Sequence, residues 1–319
     1  MRVLFFGTAE LACASLEALA NTPEFEVVAV ITQPDKPRGR DLQVQPSAPK
    51  SAALKRNIPV LQPLKARDES FLDELRSLNP ELIVVVAYGQ ILPQALLDLP
   101  RHGCLNVHTS LLPKYRGAAP IQWAILNGDP QTGVTIMRMD AGLDTGPIIS
   151  QRATGILPED TSQTLHDRLA KMGAELLLQT IPPYIHRQLR PVPQPEGGSY
   201  ARKIEKSDGL IDWSEPAEVI SRKIRAFNPW PSAFTFLQIS GQERRVKIWA
   251  AAVQPSPPAM PGAILRIDRE GLLIACGTRA LLLQQVQPEG RKRMSIQDFL
   301  AGHSVTSVSA AARPAARSK

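Results

Sequence analysis

Short apolar runs at 3–7, 27–32, 60–62, 82–87 and 105–108 recur along the first third of the chain, and helical patterns toward 20, at 48–56 and at 68–78 fill the gaps between them. Strand, helix and strand in alternation predict a Rossmann-like, mostly parallel sheet with helices on both faces, an α/β class. Ligands in such sheets bind beyond the carboxyl ends of strands. The polar residues that close the run at 105–108 therefore come first as site candidates. The first run leads into Gly7-Thr8-Ala9-Glu10, which lacks the Gly-x-Gly-x-x-Gly needed to cradle a pyrophosphate, so a dinucleotide is not expected. Gly7 reads as a tight strand-to-helix turn.

The second half has another pattern. After a helix at 161–186, the stretch 182–198 is dense in Pro and Gly, and short strand-like runs follow at 246–250, 263–267, 272–276 and 280–286. Several short strands separated by turn residues predict a small β-barrel. The expected organisation is a catalytic domain over 1–188, a linker over 189–206, a C-terminal domain over 207–305 and a disordered tail over 306–319. Charge follows the same division. The chain has 37 Lys and Arg against 30 Asp and Glu, and from position 201 onward 18 basic residues face 10 acidic ones, so the excess belongs to the second domain. A basic domain beside a neutral one predicts a polyanionic partner, because neutralised phosphates release counterions. Cys13, Cys104 and Cys276 form no Cys-x-x-Cys pair, and the five histidines make no compact ligand set, so neither a disulfide framework nor a metal is expected. No apolar run reaches transmembrane length, which reads as a cytoplasmic protein without a membrane partner.

Side chains two apart on a strand share a face, so Asn106 and His108 project together beside a polar turn. The segment Asp140-Ala-Gly142-Leu-Asp144-Thr-Gly146 offers a carboxylate, Asp144, that could reach the same place and orient the imidazole. Such a trio suits acyl chemistry: an Asn amide can donate to a developing oxyanion, and His can move a proton.

These residues, with the string Ser110-Leu-Leu-Pro113, resemble the formyltransferases that use 10-formyltetrahydrofolate. The resemblance rests also on 33–40, 84–92 and Ile224-Arg-Ala-Phe-Asn-Pro-Trp-Pro231, and it is nearest to the members that formylate methionyl initiator tRNA. It implies that Asn106, His108 and Asp144 are catalytic and that Ser110, Leu111, Leu112 and Pro113 border the folate. Backbone at Tyr88, Gly89, Gln90, Ile91 and Leu92, and at Asp140 and Gly142, would meet the pterin. It further implies an OB-like C-terminal barrel that binds tRNA, and a basic loop after the second strand, with Lys36, Arg38 and Arg40, at the acceptor end. Here that loop continues Asp41-Leu-Gln-Val where many members have further lysines, and Pro147 stands where an acidic residue is common. Arg202, Lys203, Lys206, Arg244, Arg245 and Lys247, with the clusters at 222–225 and 291–293, are the candidate phosphate contacts of the barrel. With no aromatic stacked among them, they are expected to track the backbone without reading bases. The segment 227–231 reads as a rigid packed turn. The implied cosubstrate is 10-formyltetrahydrofolate without a metal, the partner is initiator methionyl-tRNA, and the chain reads as a monomer. A sugar-nucleotide formyltransferase or a formyltetrahydrofolate hydrolase would share the trio, but neither calls for a long cationic surface. A non-catalytic RNA-binding protein would have no use for the trio.

Overall fold

The computed structural model describes residues 1–38 and 43–309. They form two compact units, one of residues 1–121, 130–156 and 164–203, the other of 122–129, 157–163 and 204 onward.

The first unit starts with β1 (Arg2–Gly7), α1 (Ala12–Ala20) and β2 (Glu26–Ile31), then a hairpin of β3 (Lys36–Arg38) and β4 (Gln43–Gln45). α2 (Ala48–Leu54), β5 (Val60–Leu61), α3 (Glu69–Ser77), β6 (Leu82–Val86), α4 (Gln94–Leu97) and β7 (Cys104–His108) follow. Next come β8 (Arg116–Gly117), α5 (Pro120–Leu126), β9 (Gln131–Arg138), β10 (Ile148–Gly155), α6 (Ser162–Ile185) and β11 (Tyr200–Ala201). The main sheet has the order β10-β9-β7-β6-β1-β2-β5. β5, β2, β1, β6 and β7 are mutually parallel, while β9 runs antiparallel to β7 and β10 antiparallel to β9.

Local chemistry accounts for these elements. All five residues of β6, Leu-Ile-Val-Val-Val, are buried, as a parallel strand covered on both faces requires. α2 begins where the Ser47 hydroxyl accepts from Lys50 N at 3.2 Å, with Pro49 in the first turn. α3 carries Glu69 in its first turn and Arg76 in its last, matching the helix dipole. It buries Phe71, Leu72 and Leu75 on the face of Leu4, Phe6 and Leu96, at roughly 1.5–3 kcal/mol per side chain. On the opposite face Val107 packs on α6 at Gly173, where a Cβ would lie 2.8 Å from the valine methyl. At Gly7 a Cβ would stand 2.6 Å from that of Ala12, so the strand-to-helix turn has room only for hydrogen.

The second unit adds a 3-10 turn (Lys206–Gly209), α7 (Ala217–Ala226), β12 (Ala233–Ile239), β13 (Gln242–Gln254), β14 (Ile264–Asp268), β15 (Gly271–Ala275), β16 (Ala280–Pro288), β17 (Met294–Ser295), α8 (Ile296–Gly302) and β18 (Val305–Val308). Its antiparallel sheet, ordered β14-β15-β16-β13-β12-β18, curls into a nearly closed barrel around Leu237, Val246, Ile248, Leu272, Ile274, Leu281 and Leu283. α7 contributes Ile220 and Ile224, and α8 contributes Ile296 and Phe299. No helix among the described residues is long and apolar enough to cross a membrane.

Three segments differ from the sequence expectation. The hairpin β9–β10 was not anticipated, and it supplies the antiparallel edge of the main sheet. The stretch 189–206 does join the two units, yet it is ordered against the first: Val192 pairs with Ile148, and Tyr200 and Ala201 pair in parallel with Arg116 and Gly117. Its prolines and glycines shape a path over the surface of that unit. Of the tail 306–319, residues 306–308 belong to β18, and Ser309 N donates to Phe236 O at 2.9 Å; the remainder lies outside the described residues. In the segment 227–231 Phe227 is buried, while the Trp230 ring is half exposed.

Candidate active site

β7 lies between β6 and β9, with Asn106 in register with Val85 on one side and Met137 on the other. The pleat puts Cys104, Asn106 and His108 on one face, and the Cys104 thiol points at the carbonyls of Leu96 and Leu97 on that side. Burial pushes this thiol up to about 12.

The loop between β9 and β10 brings Asp144 to that face. Asn106 Nδ2 donates to Asp144 Oδ1 at 3.3 Å, and Gly117 N donates to Oδ2 at 2.8 Å. His108 Nδ1 lies 3.7 Å from Asp144 Oδ2, an electrostatic contact longer than a hydrogen bond. His108 Nε2 is 2.9 Å from the Tyr115 carbonyl. A carbonyl only accepts, so Nε2 carries a proton and Nδ1 is the nitrogen at which a proton can come and go. Both Tyr115 (φ 61°) and Asp144 (φ 53°) have left-handed backbone, which is uncommon for residues with a side chain. Gly117, at φ +110°, approaches β11 so closely that a Cβ would meet the Tyr200 ring at 2.6 Å and Ala201 O at 2.8 Å. Asn106, His108 and Asp144 thus converge.

The residues expected to border a folate are held by hydrogen bonds of both backbone and side chains. The Tyr88 ring is buried edge-on against Phe6, its carbonyl accepts from Thr8 Oγ1 and Gln33 Nε2, and burial pushes its phenol up to about 12. Gly89 O accepts from Gln33 Nε2, Gln90 Oε1 accepts from Ala66 N, Ile91 is exposed and Leu92 is buried. The Ser110 hydroxyl donates to Lys114 O, closing the turn that holds Leu111, Leu112 and Pro113. Thr135 Oγ1 ties the same turn to β9, donating to Ser110 O and accepting from Leu112 N. The Asp140 carboxylate accepts from Gly142 N and Thr145 Oγ1, and so shapes its own loop. The loops leave β6 and β9, the two neighbours of β7.

The basic candidates separate into two sets. Lys36 Nζ donates to Gln33 Oε1 at 2.8 Å on the β3–β4 hairpin, while Arg40 and the side chain of Arg38 lie outside the described residues. The hairpin base is secured by Asp35, whose carboxyl is held below the usual range by hydrogen bonds from Lys50 and Gln62. Arg202, Lys203, Lys206 and Arg244 are exposed. On the outer face of β13 Arg245 lies 3.8 Å over the Phe234 ring, and Lys247 lies 5.9 Å from the Trp249 ring, which also carries Arg293 at 5.0 Å. This corrects the expectation of cations without aromatics: the rings come from the same strand face and from neighbouring strands. The cluster at 222–225, by contrast, turns inward. Arg222 Nε donates to Leu126 O, Lys223 pairs with Glu215 at 2.9 Å and Arg225 Nη1 donates to Asp160 O. Burial lowers the pKa of Arg225.

Sequence reasoning missed Gln194 and Ser199. Gln194 Nε2 donates to the carbonyls of Asp144 and Gly146, both at 2.8 Å, and Ser199 Oγ accepts from Tyr115 N at 2.9 Å. No local pattern marks them, since their partners are 48 to 84 residues away.

An α/β sheet that gathers an amide, an imidazole and a carboxylate on the face of one strand, in a chain that also carries a β-barrel, defines a group-transfer enzyme of two domains. Residues 1–181 match the formyl transferase family and residues 203–304 its C-terminal domain, and the chain belongs to that family. It is 47% identical over 303 residues to the methionyl-tRNA formyltransferase of Geobacter sulfurreducens, covering 95% of this chain and 94% of that one. Among solved structures it is similar in fold to the N-formyltransferase of Helicobacter canadensis, at a TM-score of 0.64, 21% identity and coverage of 88% and 98%. It is also similar to HypX of Aquifex aeolicus solved with tetrahydrofolic acid, at 0.61 and 17%, where 97% of this chain spans 51% of that longer one.

Proposed function

We propose that this enzyme transfers the formyl group of 10-formyltetrahydrofolate to the free α-amino group of methionyl initiator tRNA, in the cytoplasm where translation begins. The carrying observation is that similarity to a methionyl-tRNA formyltransferase runs through both units, while Asn106, His108 and Asp144 meet on one face of β7. A relative acting on another acceptor would share the trio, but the basic, ring-backed face of the barrel favours a polyanion.

Bound 10-formyltetrahydrofolate supplies an activated formyl carbonyl. Asn106 Nδ2 has two protons, and its contact with Asp144 uses one; the other is the donor for charge that builds on the formyl oxygen. His108 Nδ1 takes the proton released by the attacking amine, because Nε2 is committed to the Tyr115 carbonyl, and returns it to the folate nitrogen as the bond between that nitrogen and the formyl carbon breaks. Asp144, 3.7 Å away, balances the positive ring that results. Backbone at 88–92, 110–113 and 140–142 holds the folate, and Lys36, Arg38 and Arg40 with Arg202, Lys203, Lys206, Arg244, Arg245 and Lys247 hold the RNA.

The test is incubation with 10-formyltetrahydrofolate and methionyl initiator tRNA, methionyl elongator tRNA or no acceptor. Formylation of the initiator alone is expected. Deformylation of the folate without acceptor would replace this reading by a hydrolase, and absence of turnover would remove the enzymatic reading.

A further inference from the structure

Gln194 lies outside the strand that bears Asn106 and His108 and outside the Asp144 loop, yet its side-chain amide has all four hydrogen-bonding positions filled. Nε2 donates to Asp144 O and Gly146 O, and Oε1 accepts from Arg116 Nε at 3.0 Å and Nη2 at 2.7 Å. Only one orientation of the amide satisfies these partners, because carbonyls accept and a guanidinium donates. Arg116 precedes Gly117, whose N–H holds the Asp144 carboxylate. One amide therefore clamps Asp144 from both directions, by its own carbonyl and through the strand that grips its side chain. Asp144 needs such a clamp: its backbone is left-handed, and the loop around it has no slack, since a Cβ at Gly146 would fall 1.9 Å from Arg138 O.

We propose that Gln194 is a positioning residue for formyl transfer, holding the Asp144 carboxylate in register with Asn106 and His108 while touching neither substrate. This rests on the trio being the site of the reaction. A misplacement of about 1 Å at a reacting group can cost on the order of 100-fold in rate, so the effect falls on kcat. Gln194→Glu keeps size and the Arg116 partner but sets an acceptor against two carbonyls. It is expected to lower kcat about 30-fold, with KM for either substrate changed less than about threefold and the melting temperature close to wild type. Gln194→Asn, one methylene short but still an amide, is the milder second variant, expected to lose about tenfold. Added to Asp144→Asn, Gln194→Glu should cost no more than about a further twofold, because both act on one carboxylate.

Full kcat in both single variants, losses that multiply with Asp144→Asn, or losses that follow only the unfolded fraction would overturn the proposal. A readout without turnover separates it from the functional reading: the imidazole ¹⁵N resonances of His108 should move in Gln194→Glu. Unmoved resonances overturn the clamp, whereas inactivity of the wild type toward methionyl-tRNA with moved resonances overturns only the proposed reaction.

Discussion

The Asp144 loop and the outer face of β13 are both polar, but they are polar in opposite ways. Around Asp144 the donors and acceptors are paired with one another at 2.7 to 3.3 Å, and the backbone is bent into left-handed conformations to achieve it. On β13 Arg245 rests over Phe234 and Lys247 lies by Trp249, the ring that Arg293 approaches from outside the strand. A carboxylate that must orient an imidazole works through fixed geometry, so its hydrogen bonds are completed within the fold. A surface that meets phosphates works through charge, and a ring holds a guanidinium in place without neutralising it. The cluster at 222–225 shows the third possibility, cations each engaged by a partner inside their own unit.

The sharpest way to break this comparison is at the trio. Asn106→Ala should lower formyl transfer by roughly 100- to 1000-fold while leaving tRNA affinity nearly unchanged, as measured by kcat and by direct tRNA binding. Wild-type turnover in that variant would remove Asn106 from the chemistry. Gly117→Ala places a methyl against β11 and strains a φ of +110°, so thermal melting should show a loss of about 1–3 kcal/mol, accompanied by a fall in activity. On the barrel the effects should be smaller and of another kind. Trp249→Ala should raise KM for tRNA about fivefold with kcat preserved, consistent with loss of roughly 1 kcal/mol of stacking, and Lys247→Ala should reduce the salt slope of tRNA binding by about one. Arg222→Ala should leave that slope unaltered and lower only stability; a changed slope would return the 222–225 cluster to the RNA surface. Different again in kind is a pH effect. Burial pushes the thiols of Cys104 and Cys276 up from 9.0 to about 12. The folded chain therefore keeps protons that the unfolded chain loses, and the stability these thiols contribute is whole below pH 9 and declines between pH 9 and 12. Melting temperatures across that interval, compared with Cys104→Ala and Cys276→Ala, would measure it.

Much of the main sheet was legible because its signals are local. A fully apolar run such as 82–87 must be a buried strand or helix, and its length and flanks decide for the strand. Asn106 and His108 share a face by the two-residue period of any strand, and a Gly-bracketed Asp144 is a natural loop carboxylate. The hairpin β9–β10 was less legible: most of β10 alternates between exposed and half-buried residues at the edge of the sheet, and the whole pair gains meaning only by docking on β7. The order of the stretch 189–206 was not legible, because Pro and Gly are equally at home in a free linker and in a strap bent over a surface.

What the sequence determined by itself is the strand order's raw material, the shared face of Asn106 and His108, and the concentration of positive charge after position 200. Only the tertiary structure decided that Gln194 and Ser199 belong to the site, that Arg222 and Arg225 are inward, and that Arg245, Lys247 and Arg293 are seated on rings. The reason is the range of the interaction. Periodicity and charge are properties of neighbours in the chain, whereas Gln194 meets Arg116 across 78 positions and Arg225 meets Asp160 across 65, pairings that exist only once the sheet and barrel have closed.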